Sequence, residues 1–369
     1  MLWIWIGFVL LVLAFLAIDL GVFHRKAHVV TMKEALGWTA VWFTLGMSFA
    51  VFVYFGYENH WMGLGQSTDL MAVSTANPEG HLDGAAAVVK YITGYIVEKS
   101  LSVDNIFVIA MLFGFFAVPS IYQHRVLFWG ILGALVMRGV MILLGAALIA
   151  RFSWVMYVFA AFLLLTAIKM LLIKENKAPG DNIIVRAAGK IWPITKNFHG
   201  EHFFVRAGSA AAHKAATPGG AIERDEAVDT LEKTGSGALM ITPLFLALIS
   251  VEFTDLIFAV DSIPAIFGIT TDPFLVFTSN VFAILGLRSL YFALAGLMAK
   301  FRYLKVSLAI VLMVVALKMF FHSALKELLG PFAFNFYVLG LILLVLAVGV
   351  MASLLKGDAK NSASVPAHG

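Results

Sequence analysis

Glu98-Lys-Ser-Leu-Ser-Val-Asp104-Asn105-Ile106 places two carboxylates and an amide inside a run that is otherwise apolar. Asp255-Leu-Ile-Phe-Ala-Val-Asp261-Ser262-Ile263 has the same plan, in which an acid is followed six residues later by the aspartate of a Val-Asp-(Asn/Ser)-Ile sequence. Ionisable groups at membrane depth are costly, and by default they mark a functional site. The two acidic stretches therefore predict where the function of this chain lies.

The composition predicts an all-α protein, a polytopic membrane helix bundle. Hydrophobic residues make up 61% of the 369 residues and charged residues only 13%, whereas soluble proteins carry about 25% charged residues. The chain has no cysteine, which excludes disulfides, thiolate metal sites and thiol chemistry. The N-terminus is apolar from Leu2, and its first positive charges follow at Arg25 and Lys26. We therefore expect a retained first span rather than a cleaved signal peptide.

Nine stretches are long and apolar enough to cross a bilayer, which takes about 20 residues. The third is too long for a straight crossing, so we expect it to be tilted, broken or partly outside the bilayer core. The nine predicted spans are 2–23, 35–57, 84–116, 124–150, 152–174, 239–268, 274–298, 304–326 and 332–355.

The distribution of lysine and arginine predicts the orientation. Of the lysines and arginines in the connections and at the ends of the spans, 18 lie after odd-numbered spans or at the C-terminus. Only 2 lie on the opposite side. Basic residues are enriched on the cytoplasmic side, so we expect an outer N-terminus and a cytoplasmic C-terminus. The outer connection 58–83 carries acids and no lysine or arginine. It either concentrates cations at the outer face or is a plain solvated loop, and the solvated loop is the preferred interpretation.

An internal repeat relates spans three to five to spans six to eight. The two acidic stretches lie 157 residues apart. Arg138 matches Arg288 at a separation of 150 residues, and Ala167-Ile-Lys-Met170 matches Ala316-Leu-Lys-Met319 at a separation of 149. Three spans separate the copies, so they run in opposite directions, and such inverted repeats place an ion site at their interface. The predicted divisions are two N-terminal helices (1–57), a first repeat (84–174), a cytoplasmic loop (175–238), a second repeat (239–326), a last helix (332–355) and a disordered tail (357–369).

The acidic pairs do not share one ion on a straight helix. Six residues advance an α-helix by about 600°, so Glu98 and Asp104 would face roughly 120° apart. In the sixth span, Pro264 removes a backbone donor and would free the carbonyl of Val260, a ligand for a hard cation. Four mid-span acids cost on the order of 10 kcal/mol on insertion scales. A cost of this size argues that the acids have a function. The alternative is that Arg138 and Arg288 form buried ion pairs with the acids and hold the bundle together.

The residues resemble those of the TerC/Alx family. The stretches Glu98–Phe107 and Glu252–Phe267 carry its signatures, and the resemblance spans about residues 15 to 355. It implies an integral inner-membrane protein linked to manganese export and, by its historical name, to tellurium resistance. Supporting matches are Ala17–Leu20, Glu201–Arg206, Thr271–Phe274 and Ala283–Arg288. The family's acidic positions fall on Glu98, Asp104, Asp255 and Asp261, with Asn105 and Glu252 close by.

The oxygen ligands limit which ion can be transported. Carboxylate, amide, hydroxyl and carbonyl groups suit Mg, Ca or Mn, whereas zinc, nickel and copper call for imidazole or thiolate. Asp19 either lines the exit or pairs structurally. The candidate metal ligands are Glu98, Asp104, Asn105, Glu252, Asp255, Asp261 and Asp19, with Ser262, Asn280, Arg138 and Arg288 in support.

We therefore predict a multi-pass transporter of the bacterial inner membrane that exports Mn2+ with octahedral oxygen coordination. Protonation of the carboxylates is hypothesised to accompany ion release. One alternative cargo is Ca2+ or another divalent cation. An alternative of a different class is a membrane scaffold that assists insertion or assembly of other proteins. We expect no enzymatic activity, no prosthetic group and no nucleic-acid partner, because neither a nucleotide fingerprint nor a nucleophile–base pair stands out. The oligomeric state stays open.

Overall fold

The structure is a computed structural model. It describes residues 2–21, 30–73, 77–172, 193–195, 198–206, 239–295, 304–321 and 331–362. Within these ranges, the side chains that lie outside the description are those of residues 19–21, 104, 107, 261, 295, 304–305, 331–336 and 354–362.

Helices dominate the described chain. In order they are α1 (Leu2–Gly21), α2 (Met32–Glu58), α3 (Gly84–Phe115), α4 (Ser120–Arg151), α5 (Val155–Leu172), α6 (Pro243–Phe267), α7 (Pro273–Leu285), α8 (Leu287–Ala295), α9 (Leu304–Phe320) and α10 (Pro331–Ser362). A short 3-10 helix, Trp61–Gly63, follows α2, and two strands, β1 (Phe204–Arg206) and β2 (Leu239–Ile241), precede α6.

Several of these helices begin directly after a polar residue that caps them. The Asp83 side chain accepts a hydrogen bond from the backbone N–H of Ala86 at 2.7 Å and caps α3. Thr242 and Asp272 cap α6 and α7, and each is followed by a proline at the first helical position. A side-chain cap satisfies an orphan N–H, and proline is tolerated there because its missing N–H would have no helical partner. The local sequence thus determines where the site-bearing helices begin.

The break in the bundle lies elsewhere than expected. Helix α3 is continuous over its whole length, and α6 runs through Pro264 without interruption. Among the described helices the break falls in the seventh predicted span, where α7 and α8 meet at Gly286 with a bend of 42°. A Cβ at Gly286 would lie 2.7 Å from Lys99 Nζ and 3.0 Å from Cβ of Trp42. Glycine allows this close approach, and sharp bends concentrate at such positions.

The start of the sixth predicted span and the end of the last helix also differ from the prediction. Residues 239–241, predicted as the start of the sixth span, form strand β2, which pairs antiparallel with β1 from the loop 175–238. Pro243 accounts for this, because a residue before proline is disfavoured in the helical region and the chain there stays extended. At the other end, the tail predicted as disordered over 357–369 is helical as far as Ser362. The helix enters the tail from Leu354, Leu355 and Lys356, which have high helix propensity, and Gly357, Asp358 and Asn361 continue it although their own propensity is low.

The packing of the helices matches what the predicted repeat would produce. Helix α3 packs on α7, and α4 packs on α6. A twofold relation between the two halves would exchange these two pairs. Helix α5 packs on α9, its own counterpart under that relation. The repeat itself stays a prediction, because packing alone does not establish an internal symmetry.

The surface and interior have the polarity of a protein in lipid. Leu172 and Trp3 are 77% and 73% exposed, while Glu98 is fully buried. Exposed apolar surface on this scale marks contact with a membrane. Among the described residues, α2, α4, α5 and α6 are each long and apolar enough to cross it, and α7 with α8 makes a fifth if the bent pair is one span. Shorter apolar helices cover Leu2–Ile18, Val306–Phe320 and Tyr337–Ser353. The chain is a polytopic helical membrane protein, and the count of nine spans stays a prediction.

Candidate functional site

Arg138, on α4, is the centre of a buried polar cluster. It is 2% exposed, and its guanidinium donates to both oxygens of Asp255 on α6: Nε to Oδ2 at 3.1 Å and Nη2 to Oδ1 at 2.9 Å. Nη1 donates to Oε1 of Glu98 on α3, which forms a second ion pair. A planar guanidinium matches a carboxylate in this bidentate way, which adds geometric specificity to the charge attraction. One cation therefore joins the two acidic stretches.

Two neutral side chains complete the shell around the guanidinium. Nη1 of Arg138 lies 3.1 Å from Asn280 Oδ1 on α7 and 3.3 Å from Ser262 Oγ on α6. Both partners are buried, Asn280 completely. Every acceptor is an oxygen, which is the donor set of a site for a hard cation. The cluster draws its members from four helices, so it depends on the assembled bundle and not on one segment.

One oxygen of the cluster is left without a partner. Glu98 Oε2 is buried and has no hydrogen-bond partner among the residues that the structure describes. Asn280 Nδ2, which is a donor and cannot bind a cation, is also unpartnered there. An unsatisfied polar atom in a buried position costs free energy, and in native structures such an atom calls for a specific explanation. The cluster thus retains free capacity for coordination at its centre.

Glu252 lies beside the cluster but not in it. It stands one helical turn before Asp255 on α6, and its carboxylate lies against Gly133 of α4. A Cβ at position 133 would overlap both carboxylate oxygens of Glu252. Glu252 Oε2 is buried, and no hydrogen-bond partner for it is found among the described side chains. The glycine thus leaves a notch in α4 that a carboxylate fills.

The structure describes the side chains of some of the other predicted site residues. Asn105 is 4% exposed on α3, seven residues after Glu98 and so on the same helical face about 10.5 Å away. Arg288 is buried in α8. Three candidates lie in described helices, but their side chains fall outside the description: Asp19 in α1, Asp104 in α3 and Asp261 in α6.

The described side chains do not form a ready-made metal site. No group of three or more histidine, aspartate or glutamate side chains among them is placed to hold one ion. Glu98 and Asp255 face each other across the guanidinium of Arg138. Arg138 pairs with both acids, as the alternative of buried ion pairs predicts, and its role stays a prediction. A buried charge of this kind is stable only when its partners are in place.

A second buried cluster, which the sequence analysis did not anticipate, lies in the outer connection. Asp69 is completely buried, and its Oδ2 accepts from Lys90 Nζ at 2.8 Å and from Thr270 Oγ1 at 2.6 Å. Its Oδ1 accepts from the N–H of Met71 at 2.8 Å and from the N–H and Oγ1 of Thr271 at 3.0 and 3.1 Å. Burial raises the pKa of Asp69, but Lys90 and these hydrogen bonds outweigh it and hold the pKa below its usual value. The ion pair fastens the connection to α3, and the hydrogen bonds from Thr270 and Thr271 fasten it to the α6–α7 turn.

Asp272 continues the cluster at the start of α7. Its Oδ1 accepts from Tyr57 Oη at 2.8 Å and from the N–H groups of Phe274 and Leu275, while Oδ2 accepts from Ser67 Oγ at 3.1 Å. Burial raises the pKa of Asp272, and the charge of nearby Asp69 adds to the rise. Asp272 thus ties α2, the outer connection and α7 together.

These contacts correct the expectation of a plain solvated loop over 58–83. Asp69 is an interior residue that pairs with Lys90 of α3, so its charge is neutralised and does not attract cations from solution. The available signal was Lys90, a lysine near the start of an apolar span with no acid on the same helical face nearby. A buried lysine requires a partner, and the acids of the preceding connection were the nearest in the chain.

Comparison with known proteins places the chain in a family. The model of the integral membrane protein TerC family matches residues 83–361. An uncharacterized membrane protein of Myxococcus xanthus, STKORF319, is 44% identical over 355 residues, which covers 96% of this chain and 92% of that protein. A protein of Escherichia coli K12 named "Putative membrane-bound redox modulator Alx" is 42% identical over 334 residues, or 89% of each chain.

A more distant relative also matches over nearly the whole chain. An uncharacterized membrane protein of Rickettsia bellii is 35% identical over 354 residues, covering 95% of this chain and 97% of its own length. No solved structure matches the chain. The family match includes both acidic stretches and all the residues of the Arg138 cluster. The chain belongs to the TerC family of integral membrane proteins.

Proposed function

We propose that this protein exports a divalent metal cation, Mn2+ in the first place, across the bacterial inner membrane. The observation that carries the proposal is the meeting of Glu98 and Asp255 in the bundle interior. They come from different helices, α3 and α6, and they share one cationic partner. Acids inside a membrane bundle mark ion pathways by default. As a transporter, the protein makes and breaks no covalent bond.

The chemistry of the cluster supports a hard divalent cation. Two carboxylates, the Asn280 amide and the Ser262 hydroxyl supply only oxygen, and oxygen ligands suit Mg, Ca and Mn. Asp104 and Asp261, six residues beyond Glu98 and Asp255, are proposed to complete an octahedral shell or to form the next station. The absence of cysteine from the chain leaves no thiol for a redox role of the kind suggested by the names of some relatives.

Metal flux in proteoliposomes tests the proposal. Purified protein is reconstituted, and Mn2+ movement is followed with a metal-quenched fluorophore inside the vesicles. We expect flux with the natural protein and at least a tenfold loss with Glu98→Gln or Asp255→Asn. Glu79→Gln is the matched control, because Glu79 is 74% exposed on the outer connection, and its flux should be unchanged.

Two results would refute the export of Mn2+ through this cluster. One is the absence of any Mn2+ flux with protein that elutes as a monodisperse species. The other is undiminished flux in both site variants. Competition by Ca2+ and Mg2+ in the same vesicles ranks the cargo. Proton coupling is proposed because the mid-span acids outnumber the mid-span arginines in the sequence. A flux that does not respond to an imposed pH gradient would refute the proton coupling alone.

A further inference from the structure

The position of Arg138 leads to a second proposal, which rests on the proposed export of a divalent cation. The guanidinium occupies the place where the acceptors of the cluster converge. It donates to Glu98, Asp255, Ser262 and Asn280, all of them buried. A cation that binds these oxygens must take positions that the arginine now fills. Arginine and cargo therefore use the same ligands.

The charges make simultaneous occupancy unfavourable. Glu98 and Asp255 bring two negative charges, and Arg138 brings one positive charge. A divalent ion placed between the acids with the guanidinium still in contact would add two positive charges beside a third, in an environment of low dielectric constant where repulsion is strong. With the guanidinium withdrawn, the two carboxylates neutralise the ion. Binding of the ion and release of Arg138 must then be one event.

The unpartnered atoms identify where the ion would first bind. Glu98 Oε2 is completely buried and is one of the side-chain atoms that lack a hydrogen-bond partner among the described residues. A purely structural Arg–Glu pair gains most by engaging both carboxylate oxygens. Here the second oxygen is left for another ligand. The cluster therefore differs from a closed structural ion pair.

Glu252 is the carboxylate that can receive the displaced guanidinium. It lies one turn before Asp255 on α6, against Gly133 on α4, and its Oε2 lacks a partner in the described part of the chain. Glu252 and Asp255 stand three residues apart and so lie on the same face of α6. The side chain of Arg138 leans toward the N-terminus of α4, which is the direction in which Gly133 lies. The arginine can thus exchange acids by moving along the surface between α4 and α6, which already pack together.

We propose that Arg138 is a built-in competitor of the transported cation. It holds Glu98 and Asp255 when no ion is bound, and it moves to Glu252 when a divalent ion takes its place. In the ion-bound state each group is neutral: the ion with Glu98 and Asp255, and the arginine with Glu252. The return of Arg138 to the two acids expels the ion, which gives the site weak binding and fast release.

Equilibrium binding and flux, measured on the same proteins, test this assignment. Binding of Mn2+ to purified protein in detergent is followed by the electron paramagnetic resonance signal of the free aqueous ion. Arg138→Gln should bind Mn2+ at least tenfold more tightly than the natural protein and transport it at least tenfold more slowly. Glu252→Gln should weaken binding several-fold, because the displaced arginine loses its acceptor. Glu98→Gln should lose binding, and Glu79→Gln should change neither quantity.

If Arg138→Gln does not fold, Arg138→Lys tests the same competition between the arginine and the ion. Lysine keeps the charge but lacks the planar fork, so it holds the acids less well, and Mn2+ should bind more tightly than in the natural protein. The proposal is overturned if folded Arg138 variants bind Mn2+ no more tightly than the natural protein while that protein transports Mn2+. It is also overturned if Glu252→Gln binds as the natural protein does. A natural protein that neither binds nor transports Mn2+ would instead refute the proposed function.

Discussion

Replacement of Asp69 by asparagine tests whether the outer cluster stabilises the fold. The substitution keeps size and shape but leaves the ammonium of Lys90, 1% exposed, without a counter-ion. Asp69 Oδ1 accepts three hydrogen bonds, so the asparagine oxygen must stay on that side. Its NH2 group would then face two donors, Lys90 Nζ and Thr270 Oγ1, in place of Oδ2. Both contacts turn from attractive to repulsive.

The magnitude follows from this geometry. Removal of one partner from a buried ion pair destabilises a protein by about 3–5 kcal/mol, or about two to three and a half powers of ten in the folding equilibrium. Lys90→Met should cost a similar amount because it leaves Asp69 as an uncompensated charge. The double variant carries neither charge, so it should be more stable than the sum of the single effects implies, by about 2 kcal/mol or more.

Equilibrium unfolding in mixed micelles of mild detergent and dodecyl sulfate, followed by tryptophan fluorescence, measures these differences. Glu79→Gln on the exposed part of the same connection is the control, and it should lie within about 0.5 kcal/mol of the natural protein. The reasoning fails if Asp69→Asn is destabilised by less than about 1 kcal/mol. Strict additivity of the two single substitutions would also contradict it, because contacting partners should couple.

The pH dependence of the same experiment has a definite sign. The folded pKa of Asp69 lies below its ordinary value of 3.8, so its contribution is complete above that pH and is lost as the pH falls through the folded pKa. The gap between the natural protein and Asp69→Asn should be constant at neutral pH and should narrow below about pH 4. Asp272 acts in the opposite sense, since its raised pKa favours the folded state at acid pH. A gap that widens on acidification would contradict the assignment.

Three further substitutions test other contacts. Gly46→Ala places a Cβ 2.8 Å from the Tyr95 ring and should destabilise the protein by about 1–3 kcal/mol. Gly37→Ala, with nothing within 4 Å, should stabilise α2 by up to about 1 kcal/mol; equal unfolding midpoints for the two variants would contradict the packing of α2 on α3. Tyr57→Phe removes the 2.8 Å hydrogen bond to Asp272 and should cost about 1–3 kcal/mol in the same unfolding assay, so an unchanged midpoint would show that the Asp272 anchor does not depend on it.

Much of the site was open to prediction because the cost of burying charge is so large. Glu98 and Asp255 stand out in apolar runs, and Arg138 pairs with both of them, as the alternative of buried ion pairs predicts. Helix starts were equally accessible, since Asp83 and Asp272 cap their helices through local contacts. In each case a strong local rule acts on a few neighbouring residues.

The remaining features depend on contacts between segments distant in the chain. Pro264 indicated a break in the sixth span, yet α6 continues through it, whereas Gly286 bends the seventh because Lys99 and Trp42 press against it. Asp69 was expected in solvent, and its burial depends on partners some 20 to 200 residues away. Neither hydrophobic periodicity nor residue type carries such information.

The arrangement around Arg138 has a consequence for the order in which this protein enters the membrane. Glu98 is synthesised before Arg138, and Asp255 and Asn280 follow more than a hundred residues later. An arginine at mid-span costs about 2.5–3.5 kcal/mol on insertion scales, so α4 needs an acid that is already present when it leaves the translocation machinery. The pair with Glu98 meets that need, and α3 and α4 can enter the lipid with the charge of Arg138 already compensated. Glu98 thus first compensates the charge of Arg138 during membrane insertion. Helix α6 is inserted later, and Asp255 then gives Arg138 a second acid.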